Sequence, residues 1–187
     1  TAKVHGLWLT SFLPLLFLVN AIFLGYGAVI AEATISAYGF KRPRETALLG
    51  SMGPWIAALL LFFTGLRIVD LLLGGRFGLA FAPTRFALFF WLETVLAVVP
   101  ALMLLGARAR ASAAGLFRAG LLILAAGLLY RFDTYLVAYD PGPSFRYFPS
   151  LGEMAVSLGL VAGEIMVYIY AVKRFPVLSA APAAASR

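Results

Sequence analysis

Five apolar stretches dominate the chain, each close to the roughly 20 residues that cross the hydrocarbon core of a bilayer. They run over about residues 7–35, 52–73, 86–105, 112–136 and 150–172. The first is long enough to tilt, the second is entered through Gly53 and Pro54, and the third follows the breaker Ala82-Pro83 and contains Pro100. Proline suits the first turn of a helix and is tolerated inside membrane helices, where neighbours satisfy the freed backbone groups. Composition agrees with a lipid solvent. Hydrophobic residues make up 63% of the 187 and charged residues 12%, against about 25% charged in a soluble domain. So apolar a chain has too few polar groups to cover a surface in water. The expected fold is all-α, an integral membrane bundle of about five transmembrane helices over residues 1–178, with a disordered Ala-rich tail at 179–187. A soluble enzyme is excluded.

The formal net charge of +7 would suit nucleic acid if the basic residues formed one patch. They fall instead between the apolar runs, which in a membrane protein reads as topology and contact with anionic lipid. Nucleic acid is therefore not an expected partner. One side of the five-span bundle gathers Lys41, Arg42, Arg44, Arg108, Arg110, Lys173, Arg174 and Arg187, the other Lys3, Arg76, Arg85 and Arg146. The positive excess marks the first side as cytoplasmic. A multi-pass chain of a bacterial or archaeal inner membrane follows, with its N-terminus periplasmic and its C-terminus cytoplasmic. Trp55, Trp91, Tyr130, Tyr135, Tyr139 and Tyr147 fall toward span ends, as interfacial anchors do.

The chain has no cysteine and a single histidine, His5. That excludes a cysteine-held iron–sulfur cluster or zinc site. One histidine cannot ligate a haem on both faces, so the expectation is a chain without haem and without a metal site. Any electrons it handles sit on a mobile organic carrier or on a partner subunit.

Ionisable residues inside apolar spans are expensive unless paired or hydrated, and so carry the most information. Arg67 and Asp70 lie near the outer end of the second span and Glu93 in the outer half of the third. Arg131 and Asp133 lie near the outer end of the fourth, and Glu32, Arg118 and Glu164 toward the inner side. Two readings compete. In the first, Arg67 and Asp70, spaced i, i+3, pair on one helix, Arg131 satisfies Glu93 or Asp133, and the charges serve packing alone. In the second, the outer cluster forms a proton pathway or a wet cavity beside a redox carrier, with Glu164 deeper. Arg118 suits a snorkelling interfacial role. Ser150 followed by Glu153 resembles a capping box, which explains Glu153 without a proton. The stiff loop over residues 140–149, with three prolines, suits either a tight hairpin or a docking surface.

Residues 130–143 (YRFDTYLVAYDPGP) and 147–154 (YFPSLGEM) resemble the NrfD/polysulfide-reductase family of membrane subunits. Residues 163–168 (GEIMVY), 172–178 (VKRFPVL), 5–8 (HGLW), 13–18 (LPLLFL) and 32–36 (EATIS) are similar to the same family. The nearest likeness is to the HybB-type membrane subunit of periplasmic nickel–iron hydrogenases, over about the C-terminal half of the family pattern. The resemblance implies a haem-free subunit of an oxidoreductase complex, either non-catalytic or carrying the quinone site. It would pass electrons between a membrane quinone (menaquinone or ubiquinone) and a periplasmic iron–sulfur subunit docked with nickel–iron hydrogenase subunits. It also implies an N-terminal half of the bundle on the same or another chain. On this reading Arg67, Asp70, Glu93, Arg131 and Asp133 form a proton path or quinone-proximal cluster that Glu32 and Glu164 extend inward. A purely structural membrane anchor and a small transporter are the alternatives. Against the transporter, no inverted repeat or broken-helix pair is visible.

Overall fold

The structure, a computed structural model, describes residues 4–39, 45–139 and 147–175. The tail at 179–187 and the residues Lys3, Lys41, Arg42, Arg44, Arg146 and Arg187 lie outside the described residues. Six α-helices account for most of the described chain: α1 (Leu13–Gly39), α2 (Thr46–Leu73), α3 (Arg85–Leu105), the single turn α4 (Ala107–Arg110), α5 (Ala113–Phe132) and α6 (Leu151–Arg174). A 3-10 turn (Phe77–Phe81) lies between α2 and α3, and α5 continues into a π turn (Asp133–Val137). Five helices, α5 taken with its π turn, are long and apolar enough to cross a membrane. Among the described residues the only β pairing is an isolated bridge between Val4 and Tyr139.

Local chemistry explains the boundaries. Helix α1 begins at Leu13, and the apolar residues before it turn instead, with the Trp8 and Leu9 N–H groups both donating to the His5 carbonyl at 2.9 and 3.1 Å. Helix α2 starts at Thr46, so Pro54 stands inside it, as Pro100 does inside α3. Thr84 and Ser112 cap α3 and α5 by accepting from the Ala87 and Gly115 N–H groups, each at 3.3 Å. At the end of α2, Gly75 adopts φ 64°, which an L side chain resists. The Gly75 N–H donates to the Leu72 carbonyl and the Arg76 N–H to that of Leu71, a Schellman closure that turns the chain back on itself.

Contacts divide the chain into two compact units, Thr1–Phe145 and Arg146–Arg187. In the first, α5 packs on both α1 and α3, while α3 also packs on α2. The buried face of α5 is built of small residues, with Gly115, Ala119, Gly120, Ala126 and Gly127 beside Leu116, Ile123 and Tyr130. Small residues let membrane helices approach closely, where lipid supplies no hydrophobic drive to packing. A Cβ placed on Gly120 would stand 2.8 Å from Ile30 Cγ2, and one on Gly27 3.0 Å from the Gly120 carbonyl oxygen. Overpacking of a well-filled contact costs about 1–3 kcal/mol. Gly120→Leu should therefore lower the thermal midpoint of the purified protein in detergent, while Gly25→Leu, with nothing within 4 Å of its added Cβ, should leave it unchanged.

The second unit is built on α6, none of whose residues is buried. Its start is the capping box: Ser150 Oγ accepts from the Glu153 N–H at 3.3 Å, and a Glu153 carboxylate oxygen accepts from the Ser150 N–H at 2.6 Å. The Tyr147 hydroxyl also bonds to Glu153, and this raises its pKa above the usual tyrosine value.

A buried ion pair in an aromatic cage

Three helices of the first unit each bring one ionisable residue to a common point. On α2 the buried positions Leu60, Phe63, Thr64, Arg67 and Leu71 share one face, as a helical period requires. On α3 the equivalent face carries Phe90, Glu93 and Ala97, while α5 carries Tyr130 in its last turn and the π turn after it begins at Asp133. Arg67 Nη1 lies 2.5 Å from Glu93 Oε2, with the two side chains 6% and 1% exposed. Beyond that ion contact, Arg67 Nη2 and Glu93 Oε2 have no hydrogen-bond partner among the described residues. The other Glu93 oxygen accepts from the Trp8 indole N–H at 3.1 Å.

Aromatic rings enclose the guanidinium. The Arg67 carbon stands 5.0 Å from the ring centre of Phe90, 5.1 Å from that of Tyr130 and 5.6 Å from that of Phe63. Each ring face attracts a cation, and the more so when water is excluded. Asp133 is fully buried, and neither of its carboxyl oxygens finds a hydrogen-bond donor among the described residues; its side chain lies instead within hydrogen-bonding range of that of Glu93. It lies within electrostatic reach of both Glu93 and Arg67. Thr134 beside it is satisfied, donating to the Tyr130 carbonyl at 2.7 Å.

A cover lies over this end of the unit. The His5 N–H donates to the Ala138 carbonyl at 2.7 Å, and the Ala138 N–H reaches back to the Asp133 carbonyl at 2.7 Å, the five-residue bond of the π turn. The His5 ring stacks on Phe86 with centroids 4.0 Å apart. Arg76 fixes the same segment from below, donating to the carbonyls of Gly6 and Leu9. Asp70 orients Arg76 through a 3.2 Å ion pair. A cleft with room for about one water, ≈ 10 Å³, is lined by Trp8, Thr10, Arg67, Asp70 and Tyr130 among others. Replacing Asp70 by Asn should loosen this clasp by no more than about 1 kcal/mol, because the pair is partly exposed. Proteolysis within residues 4–12 should speed up with little change in the thermal midpoint.

The ionisable residues singled out from the sequence thus divide. Arg67, Glu93 and Asp133 come together. Asp70 takes Arg76 instead of Arg67, because the i+3 position turns it away from the core face while the glycine turn returns Arg76 to it. Arg131 takes neither acid; its Nε donates to Asn20 Oδ1 at 3.0 Å, and Asn20 in turn donates to the Gly127 carbonyl at 3.4 Å. Glu32 accepts from Ser36 at 2.8 Å on the exposed side of α1, about 18 Å along that helix from Asn20 by its rise. Glu164 belongs to the second unit, exposed on α6. Trp8, Asn20 and the three rings around Arg67 were not singled out as site residues. Asn20 did carry a signal, as an amide within an apolar span.

No family model matches the chain, and no solved structure matches it. It is 34% identical over 179 residues to the probable Ni/Fe-hydrogenase 2 b-type cytochrome subunit of Escherichia coli, which covers 94% of this chain and 46% of that protein. It is 24% identical to a protein of Nitratidesulfovibrio vulgaris, over 95% of this chain and 48% of the relative. The chain therefore spans about half the length of the curated relatives it matches.

The first name corrects one expectation. A b-type cytochrome is a haem protein, so the expectation of a chain that carries no haem is overturned by its relative. A histidine count limits only the histidine ligands one chain supplies, and says nothing of haem held with other residues or other chains. His5 is the single histidine and there is no cysteine, and among the described residues no group of three or more His, Cys, Asp or Glu is placed to hold a metal ion. An iron with two histidine ligands would take at least one from outside these 187 residues. In sequence, this multi-pass chain is similar to about half of a hydrogenase membrane subunit of the b-type cytochrome kind.

Proposed function

We propose that the chain is part of the membrane subunit of a hydrogenase electron-transfer complex, where it serves exchange between a membrane quinone and a periplasmic iron–sulfur subunit. The observation that carries this reading is the identity of 34% across 94% of the chain to a protein named as a probable Ni/Fe-hydrogenase 2 b-type cytochrome subunit. The resemblance of residues 130–143 and 147–154 to quinone-linked membrane subunits supports the finer part. Two residues of that first stretch belong to the cluster, since Tyr130 cages Arg67 and Asp133 lies beside Glu93. Menaquinone or ubiquinone is the carrier, membrane lipids surround the five spans, and the chain lies in an inner membrane with its N-terminus periplasmic. The Arg67–Glu93–Asp133 end is then the periplasmic end, where electrons and protons meet the partner subunit. Arg67 supplies a fixed positive charge in a water-poor setting, where it acts strongly on any anionic oxygen formed nearby.

A second reading has its own support. Arg67, Asp70, Arg76, Arg131 and Glu93 all have partners within the first unit, as a purely structural anchor would arrange them. Gentle purification of the tagged chain from membranes separates these readings from a chain that works alone. Co-purification of nickel–iron and iron–sulfur hydrogenase subunits, with hydrogen-driven reduction of added quinone, is the expected result. A chain recovered without any redox subunit would sink the proposal.

A further inference from the structure

Asp133 is the carboxyl that the buried ion pair leaves over. The cluster holds one guanidinium and two carboxyls, so it is electrically neutral only when one carboxyl carries a proton. An unpaired charge in such a place is strongly disfavoured. Glu93 has what an ionised carboxylate needs, an arginine at 2.5 Å and an indole N–H at 3.1 Å. Asp133 has neither: both of its oxygens are buried without a donor, and its side chain lies within hydrogen-bonding range of the Glu93 carboxyl. Two ionised carboxylates side by side can only repel, whereas a proton on one turns the pair into donor and acceptor.

We infer that Asp133 is a proton-binding site, which shares one proton with Glu93 and releases it toward the cleft beside Arg67. In release, the O–H bond of the Asp133 carboxyl breaks, its electron pair stays on the carboxylate, and the proton passes to water. The new negative charge is met by Arg67, whose Nη2 is otherwise without a hydrogen-bond partner. The cleft touches Arg67 and Trp8, the two partners of Glu93, so water there stands one side chain away from the shared proton. The surrounding groups are few. Arg67 of α2 and Glu93 of α3 act on Asp133, with Tyr130 on its own helix. From α1 comes Asn20, which engages Arg131, and from the cover comes His5, tied to Ala138. The π turn supports the assignment, since such turns recur at functional sites and this one begins at Asp133 itself. The use of this proton in turnover rests on the quinone-linked reading; its presence does not.

Infrared spectroscopy of the assembled complex in lipid nanodiscs tests the assignment, with no electron donor or acceptor present. The wild type should show the C=O band of a buried protonated carboxylic acid, moved by exchange into heavy water. Asp133→Asn should abolish that band, Asp133→Glu should shift it, and Glu93→Gln should retain an acid band at a changed frequency. A band that persists unchanged in Asp133→Asn or Asp133→Glu, or its absence from the wild type, would overturn the inference. If Asp133→Asn fails to assemble, Asp133→Glu alone still decides. Hydrogen-driven quinone reduction is measured separately, so a normal band without quinone reduction would sink the redox reading and leave the proton site standing.

Discussion

Replacing Arg67 by Met should destabilise the first unit by about 3–5 kcal/mol, the usual consequence of leaving a buried carboxylate without its counter-charge. Glu93 would be left at 2% exposure with only the Trp8 indole to hold it, and Asp133 would add a second acid beside it. Three ring faces would also lose their cation, each worth about 0.5–2 kcal/mol according to how dry the site is. The prediction has an internal control. Arg67→Met combined with Glu93→Leu removes both charges, and buried pairs exchanged for apolar residues of similar volume are often neutral or stabilising. Thermal unfolding of the purified protein should therefore show the single variant far below the wild type and the double variant close to it. A double variant as unstable as Arg67→Met would mean that the pair is not the energetic unit its geometry indicates.

Trp8→Ala should come next in size, at about 3–5 kcal/mol for the loss of a large buried aromatic. Trp8 is 3% exposed, packs edge-on to His5 and Phe86, and holds one oxygen of Glu93. Its removal would open a void and orphan a buried acceptor at once. Because the residues before α1 cover the cluster, amide hydrogen exchange should rise at residues 5–9 and 134–138 while the middles of α2 and α3 stay protected. Trp8→Phe keeps most of the packing and deletes only the N–H, so it should show less than half the loss.

The five spanning helices were legible because apolar runs of bilayer length leave few alternatives, and the Ser150–Glu153 capping box because its partners are local. The pairing of the buried charges was not. Arg67 has Asp70 three residues away and Glu93 on another helix, and only the packing of α2 on α3 decides between them. The core face of α2 carries Arg67 inward and leaves Asp70 at its edge, where the turn at Gly75 delivers Arg76. Trp8 reads in sequence like a membrane-interface residue beside an apolar run. Its burial depends on the chain folding back to meet Ala138 and Tyr139, which no local pattern announces. The π turn likewise has no composition of its own, being set by how Asp133 and Thr134 are drawn into the core after Tyr130.

If the cluster served the fold alone, neutralising it cleanly would leave the working complex untouched. The decisive measurement is the rate of hydrogen-driven quinone reduction by the purified complex carrying Arg67→Met with Glu93→Leu, compared with wild type after both are shown to be fully assembled. The account predicts a fall of at least about tenfold, equivalent to roughly 1.4 kcal/mol of barrier, with assembly and thermal stability retained. An assembled double variant that reduces quinone at the wild-type rate would contradict it and leave the buried pair a matter of packing.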